Sequence, residues 1–331
     1  MAPDLSLIVT AHQQASFLRD ALTSLTRQFD DPSRLEVIVV DDGSDDDPAA
    51  VVKEFAGRLP RLEFLSLSPA RGVSAARNAG LAVATGRAVA VLDGDDWYAP
   101  GHLAHMLAWL DRLGVDFVKC DVIPDTRGTR VIKPAPQARR HVSLEPSGSI
   151  LPVAAATMID YPFVWAAVYR RELLDSGLLH FDETLRTAED REITWRLHLQ
   201  AASFAVVDAP GILYRRGVAT SLTAIPDERQ LDFGPAYRKI LAGVLAHPEA
   251  DRFLPKALRQ CLAIAHHHVA RQHELSQATR AGLAPALLEA VTDLSPAQIA
   301  EALEGLDPKR RKALRPLLAP ALRAEGAEAA A

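Results

Sequence analysis

Glu36-Val37-Ile38-Val39-Val40-Asp41-Asp42-Gly43-Ser44 is the stretch on which the fold turns. A run this rich in apolar β-branched residues reads as a strand buried on both faces, as in a parallel sheet. It runs straight into an acidic turn, and open parallel sheets bind ligands beyond the carboxyl ends of their strands. The pattern repeats on either side. Leu5–Thr10 is a short strand bounded by His12-Gln13-Gln14, and Phe17, Leu18, Ala21, Leu22 and Leu25 follow at helical spacing. Helices over Ala49–Phe55 and Val73–Ala84 alternate with strands over Leu62–Leu67 and Ala88–Leu92, the last running into Asp93-Gly94-Asp95-Asp96. That rhythm predicts an α/β domain, a Rossmann-like, mostly parallel sheet flanked by helices.

Beyond Asp93 the regularity weakens. Pro100–Leu113 reads as a helix with its proline near the first turn. Residues 121–149, rich in Pro, Arg, Gly and Ser, read as a long connection or flap. Ala166–Leu174 and Asp190–Gln200 read as helices, and Phe204–Val207 and Gly211–Tyr214 as short strands. After residue 226 strand signals vanish, and Ala, Leu and Arg recur at helical spacing. Ser295-Pro296-Ala297-Gln298 is a capping box, and Asp307-Pro308 repeats the cap-then-proline signal. The expected division is 1–98, 99–225 and an all-helical 226–331.

Composition narrows the function classes. The 331 residues are 48% hydrophobic and 24% charged, ordinary for a globular chain long enough to bury a large core. A net charge of −5 offers no basic field for nucleic acid. Cys120 and Cys261 lie too far apart for a metal or redox motif, which suits a reducing compartment. No apolar run reaches the ~18 residues that cross a bilayer. The opening MAPDLSLIVT has no basic leader region, so a cytoplasmic protein is expected.

The two acidic clusters carry the chemistry. Carboxylates this close repel one another unless a cation compensates them, and Mg²⁺ or Mn²⁺ accepts carboxylate oxygens while keeping water and substrate phosphates in its shell. Neither a Walker pattern nor GxGxxG follows any strand, so a metal bridge is the expected way for an acidic chain to hold a diphosphate. The Asp41–Asp47 segment read alone is equally an Asp-rich turn with a helix cap.

Five motifs taken in order resemble glycosyltransferase family 2, whose members have the GT-A fold. Ser24-Leu25-Thr26-Arg27-Gln28 resembles the end of the family's first helix, and Val40-Asp41-Asp42-Gly43-Ser44 its nucleotide-binding strand end. Arg71-Gly72-Val73-Ser74-Ala75-Ala76-Arg77-Asn78-Ala79-Gly80 is similar to its ARN-x-G helix, and Leu92-Asp93-Gly94-Asp95-Asp96-Trp97 to its DxD motif. Thr187-Ala188-Glu189-Asp190, followed by Trp195-Arg196-Leu197, resembles its ED motif. The resemblance covers residues 5–223. It implies a metal-dependent, inverting transfer of a sugar from a nucleoside-diphosphate sugar, a UDP-sugar foremost, to a hydroxyl of a glycan or lipid-linked acceptor in envelope or exopolysaccharide synthesis. Asp41 and Asp42 would meet the base and ribose, with Thr10, His12 and Gly94 in the same nucleotide-sugar pocket and Arg77 near the base or diphosphate. Asp93 would face the ribose or the metal shell, and Asp95 would bind Mn²⁺ or Mg²⁺ directly. Asp190 would be the general base, paired with Glu189, and Asp96, Trp97 and Arg215 would contact diphosphate or acceptor.

The chain departs from the family where a Tyr-Arg-x-His stretch is usual. Here it reads Tyr214-Arg215-Arg216-Gly217-Val218, then Ser221-Leu222-Thr223, and the histidine is missing. Arg215 or Arg216 is expected to serve the diphosphate instead. Plainer readings stand beside the functional ones. Thr187–Asp190 also fits a capping box with Asp190 at its third helical position. His266-His267-His268 point about 100° apart on a helix and cannot share one ion. Lys309-Arg310-Arg311-Lys312, with Leu314, Leu317 and Leu318, suits either a solvated helix end or a peripheral membrane contact. The helical tail also suits self-association. A sugar-phosphate nucleotidyltransferase and a non-catalytic sugar- or partner-binding module are the rival functions, the first disfavoured by the absence of a glycine-rich basic loop after the opening strand.

Overall fold

The computed structural model describes residues 2–217 and 225–323. Seven strands form the main sheet: β1 (Leu5–Ala11), β2 (Leu35–Asp42), β3 (Leu62–Leu67), β4 (Ala88–Asp93), β6 (Phe117–Lys119), β9 (Ala167–Arg170) and β10 (Phe204–Val206). Their order is β10-β6-β9-β4-β1-β2-β3. The half from β4 to β3 is parallel throughout, and every residue of β1 is buried. Register sets the ligand edge. Thr10 lies opposite Asp93, and Ala11 opposite Asp41, so the carboxyl ends of three buried strands finish level with one another.

Helices α1 (Ala15–Leu25), α2 (Pro48–Lys53) and α3 (Val73–Val83) make the crossovers. Close packing of α3 depends on Gly80, where an added Cβ would lie 2.5 Å from Ile8 Cγ2. Helix α4 (His102–Leu113) begins after Gly101 in a left-handed conformation, so Pro100 precedes the helix instead of opening its first turn. A second sheet of four strands runs β5 (Trp97–Tyr98), β11 (Ile212–Arg215), β7 (Val122–Thr126) and β8 (Thr129–Arg130).

Two expectations fail for tertiary reasons. Ala166–Leu174 is not one helix: Ala167–Arg170 is strand β9, inserted antiparallel between β4 and β6, and only Arg171–Asp175 coils into the short helix α5. Its alanines satisfy helical spacing, but the open hydrogen bonds of two strand edges claim the backbone. The 121–149 stretch is likewise more than a connection, since it opens with the β7–β8 hairpin.

The chain divides into two compact units. One is drawn from residues 1–149, 161–184 and 200–220, and contains both sheets. The other takes 150–160, 185–199 and 221–331. It is helical: α6 (Glu189–Gln200), α7 (Phe233–Leu245), α8 (Ala250–Ala270), α9 (Gln277–Ala290), α10 (Pro296–Glu304) and α11 (Pro308–Leu322). Its core includes Ile150, Trp195, Tyr237, Phe253, Leu287 and Leu314. The Ser295 capping box forms, and Asp307 caps α11 with Pro308 at its first position. Leu314 and Leu318 are fully buried and Leu317 packs on the same core. The leucines beside Lys309–Lys312 thus pack on the core of this unit. Among the described residues no helix is long and apolar enough to cross one.

Candidate functional site

At the carboxyl edge of the main sheet the acidic residues divide their labour. Asp42 accepts from the backbone N–H of Arg71 at 2.6 Å and of Gly72 at 2.8 Å, holding the turn that opens α3. Asp41 accepts from the Ser44 N–H at 3.0 Å and the Ser66 hydroxyl at 3.2 Å. Both residues are at most 7% exposed, and both belong to β2 itself, not to the turn after it. Gly43 sits at φ +70°, and a Cβ there would lie 2.9 Å from Ala70 N, so the turn requires glycine. His12, exposed, donates from Nδ1 to the Asp42 carbonyl at 2.7 Å. In the loop after β1, the Gln13 N–H is taken by Ser44 Oγ and the Ala15 N–H by Asp46. Those amides are committed to the chain's own side chains, which counts against a triphosphate-binding loop at this place.

The DxD loop leaves β4 beside this edge. Asp93 accepts from Arg77 Nη2 at 3.0 Å and the Thr10 hydroxyl at 3.3 Å. Arg77 is 3% exposed and its guanidinium lies 5.0 Å from the Phe181 ring centroid, a geometry that fits its place in the ARN helix. Gly94 donates to the Thr10 carbonyl, and an added Cβ would stand 2.9 Å from that same oxygen. Burial, reinforced by the Asp93 charge, pushes the Asp95 carboxyl up to about 6, against a hydrogen bond from Gln14. Asp96 is wholly buried, and burial and its two acidic neighbours drive its carboxyl well above the ordinary range. Its Oδ1 accepts from the Arg215 N–H at 2.8 Å, while Oδ2 has no partner among the described residues.

Arg215 is the scaffold of this loop. Its guanidinium stacks between Phe17 at 4.7 Å and Trp97 at 4.6 Å, donates to the Asp95 carbonyl at 2.9 Å and pairs with Asp20 at 2.9 Å. One guanidinium bond thus goes to the loop backbone and one to Asp20 of α1, while the backbone N–H of Arg215 holds Asp96. Arg216, exposed, lies over Tyr214. Val218 and Ser221–Thr223, the rest of that stretch, lie outside the described residues.

The donor set suits a hard divalent cation. Asp93 and Asp95 offer only oxygen, and a bound cation would offset the burial and the Asp93 charge that raise the Asp95 carboxyl, which Arg215 counters only in part. Among the described residues no three His, Cys, Asp or Glu side chains are grouped to hold a metal, the histidine triplet included. A cation held here would take one or two carboxylates from the chain and its remaining ligands from phosphate and water, the usual arrangement for Mg²⁺.

The second unit carries the ED helix. Glu189, 8% exposed, and Asp190 open α6 as its first two residues. Helix α6 begins at Glu189, so Asp190 stands at its second position and not the third that a box opened by Thr187 requires, and the Thr187 hydroxyl donates to the Arg229 carbonyl at 2.6 Å. Ala188 precedes Glu189 at φ +64°, a conformation that costs a non-glycine residue about 1–2 kcal/mol. Arg186 secures the strained turn, through its N–H to Asp232 at 2.6 Å and its guanidinium to the same carboxylate at 2.7 Å. Asp190 and its neighbour Tyr237 act together to favour the charged form of Arg191 against the cost of burial.

Sequence reasoning passed over four residues that build these sites. Asn78 grips the Phe181 backbone through both amide atoms, at 2.8 and 2.9 Å, and Arg71 pairs with Glu183 at 2.8 Å. Gln14 and Asp20 hold Asp95 and Arg215. Only Asn78 carried a signal, its place between Arg77 and Gly80.

Comparison with known proteins adds the following. A family model described as Glycosyl transferase family 2 matches residues 6–178. The uncharacterized glycosyltransferase EpsJ of Bacillus subtilis is 29% identical over 70% of this chain and 66% of its own length. The succinoglycan biosynthesis protein ExoO of Rhizobium meliloti is 32% identical over 57% of this chain and 53% of its own. The alignments thus span between half and two-thirds of these relatives. The crystal structure of S. aureus TarS 1-349 in complex with UDP-GlcNAc superposes with a TM-score of 0.75 at 21% identity, covering 97% of this chain and 89% of that one, which establishes a common GT-A fold.

Proposed function

Because the chain belongs to glycosyl transferase family 2, matching it over more than half its length, we propose that it transfers a sugar, with inversion, from a UDP-sugar to a hydroxyl of a glycan or lipid-linked acceptor. The observation that carries this reading is the Asp93–Asp96 loop at the ligand edge of the sheet, where burial and the Asp93 charge push the Asp95 carboxyl up to about 6 against the weaker pull of Arg215. An acidic loop held under repulsion at the ligand edge of a parallel sheet suits a metal-bound diphosphate. The relatives favour the same chemistry: ExoO is named for succinoglycan biosynthesis, and the TarS structure holds UDP-GlcNAc.

Asp41 and Asp42, each with acceptor capacity left after its own bonds, take the base and ribose beside His12. Arg77 and Thr10 hold Asp93 in orientation, and Arg215 holds the backbone of Asp95. When bound there at Asp95, Mg²⁺ or Mn²⁺ neutralises charge on the departing diphosphate. Asp190, next to Glu189 at the head of α6, accepts the proton of the acceptor hydroxyl. That oxygen forms its bond to the anomeric carbon as the bond to the diphosphate breaks, and the electron pair leaves with the nucleotide. The chemistry is tested by UDP release from a panel of UDP-sugars offered with polyprenyl-diphosphate sugars or oligosaccharides. One donor is expected to release UDP only when an acceptor is present. Equal release without any acceptor, or none from every pairing including the other nucleoside-diphosphate sugars, contradicts the proposal.

A further inference from the structure

Residues 126–144 carry Arg127, Arg130, Lys133, Arg139 and Arg140 and neither Asp nor Glu, in a chain of net charge −5. Among the described residues four large hydrophobic side chains are exposed, and Val131, Ile132 and Val142 of this same stretch are three of them. Val131 is 67% exposed and Ile132 63%.

The backbone accounts for the exposure. Arg127 at φ +52° and Gly128 at φ +84° make the two-residue turn between β7 and β8, with the paired positive angles that suit a tight hairpin. The edge strand continues beyond β8, since Val122 and Lys133 exchange backbone hydrogen bonds of 3.2 and 2.8 Å. Neighbouring strand residues point to opposite faces, so two neighbours this exposed leave neither face covered. A bare β-branched edge is a hazard in water unless something covers it.

The charges indicate what covers it. Arg130 pairs with Asp125 at 2.7 Å, Arg140 with Asp121 at 2.8 Å, and Lys133 lies over Phe163 at 4.6 Å. Arg127 and Arg139 are exposed. Cations flanking an apolar pair match a surface that is anionic outside and apolar just beneath. A polyanion in water would engage the cations and leave Val131 and Ile132 wet.

We propose that the β7–β8 hairpin and its continuation dock on an anionic lipid bilayer, Val131 and Ile132 entering the headgroup layer and Arg127 and Arg139 meeting lipid phosphates. Strand β5, which follows the DxD loop, belongs to the same four-stranded sheet, three strand spacings or about 14 Å from β8. Docking would therefore bring the donor loop to the surface where a lipid-linked acceptor presents its hydroxyl. The inference deepens the lipid-linked reading of the acceptor and rests on it for its purpose, but binding itself is measured without donor or acceptor.

The experiment is co-sedimentation with vesicles of phosphatidylglycerol and phosphatidylcholine, against phosphatidylcholine alone. The protein is expected to sediment with the anionic vesicles, to stay soluble with the neutral ones, and to be released by salt. V131S/I132S should weaken binding at least about tenfold at an unchanged melting temperature, and R127S/R139S should weaken the preference for anionic lipid. Wild-type protein that stays in the supernatant at low salt, or a V131S/I132S protein that binds as wild type does, overturns the proposal. So does self-association of the wild type that V131S/I132S abolishes, because the edge would then be covered by a second copy. UDP release with soluble acceptors distinguishes the failures: if it persists without vesicle binding, only the docking surface falls.

Discussion

Asp190→Asn is expected to lower transfer by about 10²–10⁴, the contribution of a positioned general base, while nucleotide binding and the melting temperature stay close to wild type. The structure makes this a clean test of function against architecture. A capping box would tie Asp190 to the helix's stability, but α6 begins at Glu189, so Asp190 stands at the second helical position and not the third. Asp190 also has the favourable placing of an acid in a first turn, worth about 1 kcal/mol at most at a surface site, and an interaction with Arg191 and Tyr237. Amide retains the shape and loses the basicity. Full activity in the variant, together with a fall in melting temperature, would show that Asp190 serves the helix alone.

Asp160→Ala carries the largest stability effect, about 3 kcal/mol or more. Lys256 is 2% exposed, and its ammonium has Asp160 at 2.6 Å and the Ala155 carbonyl at 2.8 Å. The same carboxylate accepts from Gln260 at 2.6 Å, and Gln260 in turn accepts from the Trp195 indole of α6 at 2.9 Å. Burial works to raise the Asp160 carboxyl, yet the bonds from Lys256, Gln260 and Thr157 hold it below its ordinary value. Removing it leaves a buried ammonium with one partner and loosens the segment that ties residues 150–160 to α8. Adding Lys256→Met to Asp160→Ala should recover most of the loss, because the cost lies in the orphaned charge. Urea unfolding of the three proteins measures this. A loss below about 1 kcal/mol for the single variant, or no recovery in the double, would refute it.

What could be read beforehand follows from where information resides in a chain. Strands β1, β2 and β4 were legible because a strand buried on both faces must be apolar along its length, and the acidic ends of β2 and β4 declared the ligand edge. Strand β9 was not, because its alanines suit either conformation and the decision came from the unpaired edges of β4 and β6. The Thr187 box satisfied a local rule, but α6 starts at Glu189 and leaves Asp190 one position short of it. Arg215 looked like a ligand for diphosphate, and nothing local announces that Phe17, Trp97 and Asp20 would surround it. The assembly of 150–160 and α6 with the C-terminal helices joins segments distant in sequence, through a core that includes Ile150 and Trp195 and polar contacts such as Trp195–Gln260, and these leave no periodic trace in the sequence.

The central claim, a metal-assisted site for a nucleoside diphosphate at Asp95, is tested most directly by thermal unfolding with UDP, GDP, CDP or TDP, each with Mn²⁺ and again with EDTA. Ligand at 100 times its dissociation constant stabilises by about 2.7 kcal/mol, a shift easily resolved. The account predicts a rise in melting temperature with UDP and Mn²⁺ that is lost with EDTA and lost in Asp95→Asn. No shift with any of the four nucleotides, or a shift indifferent to both EDTA and Asp95→Asn, would contradict it.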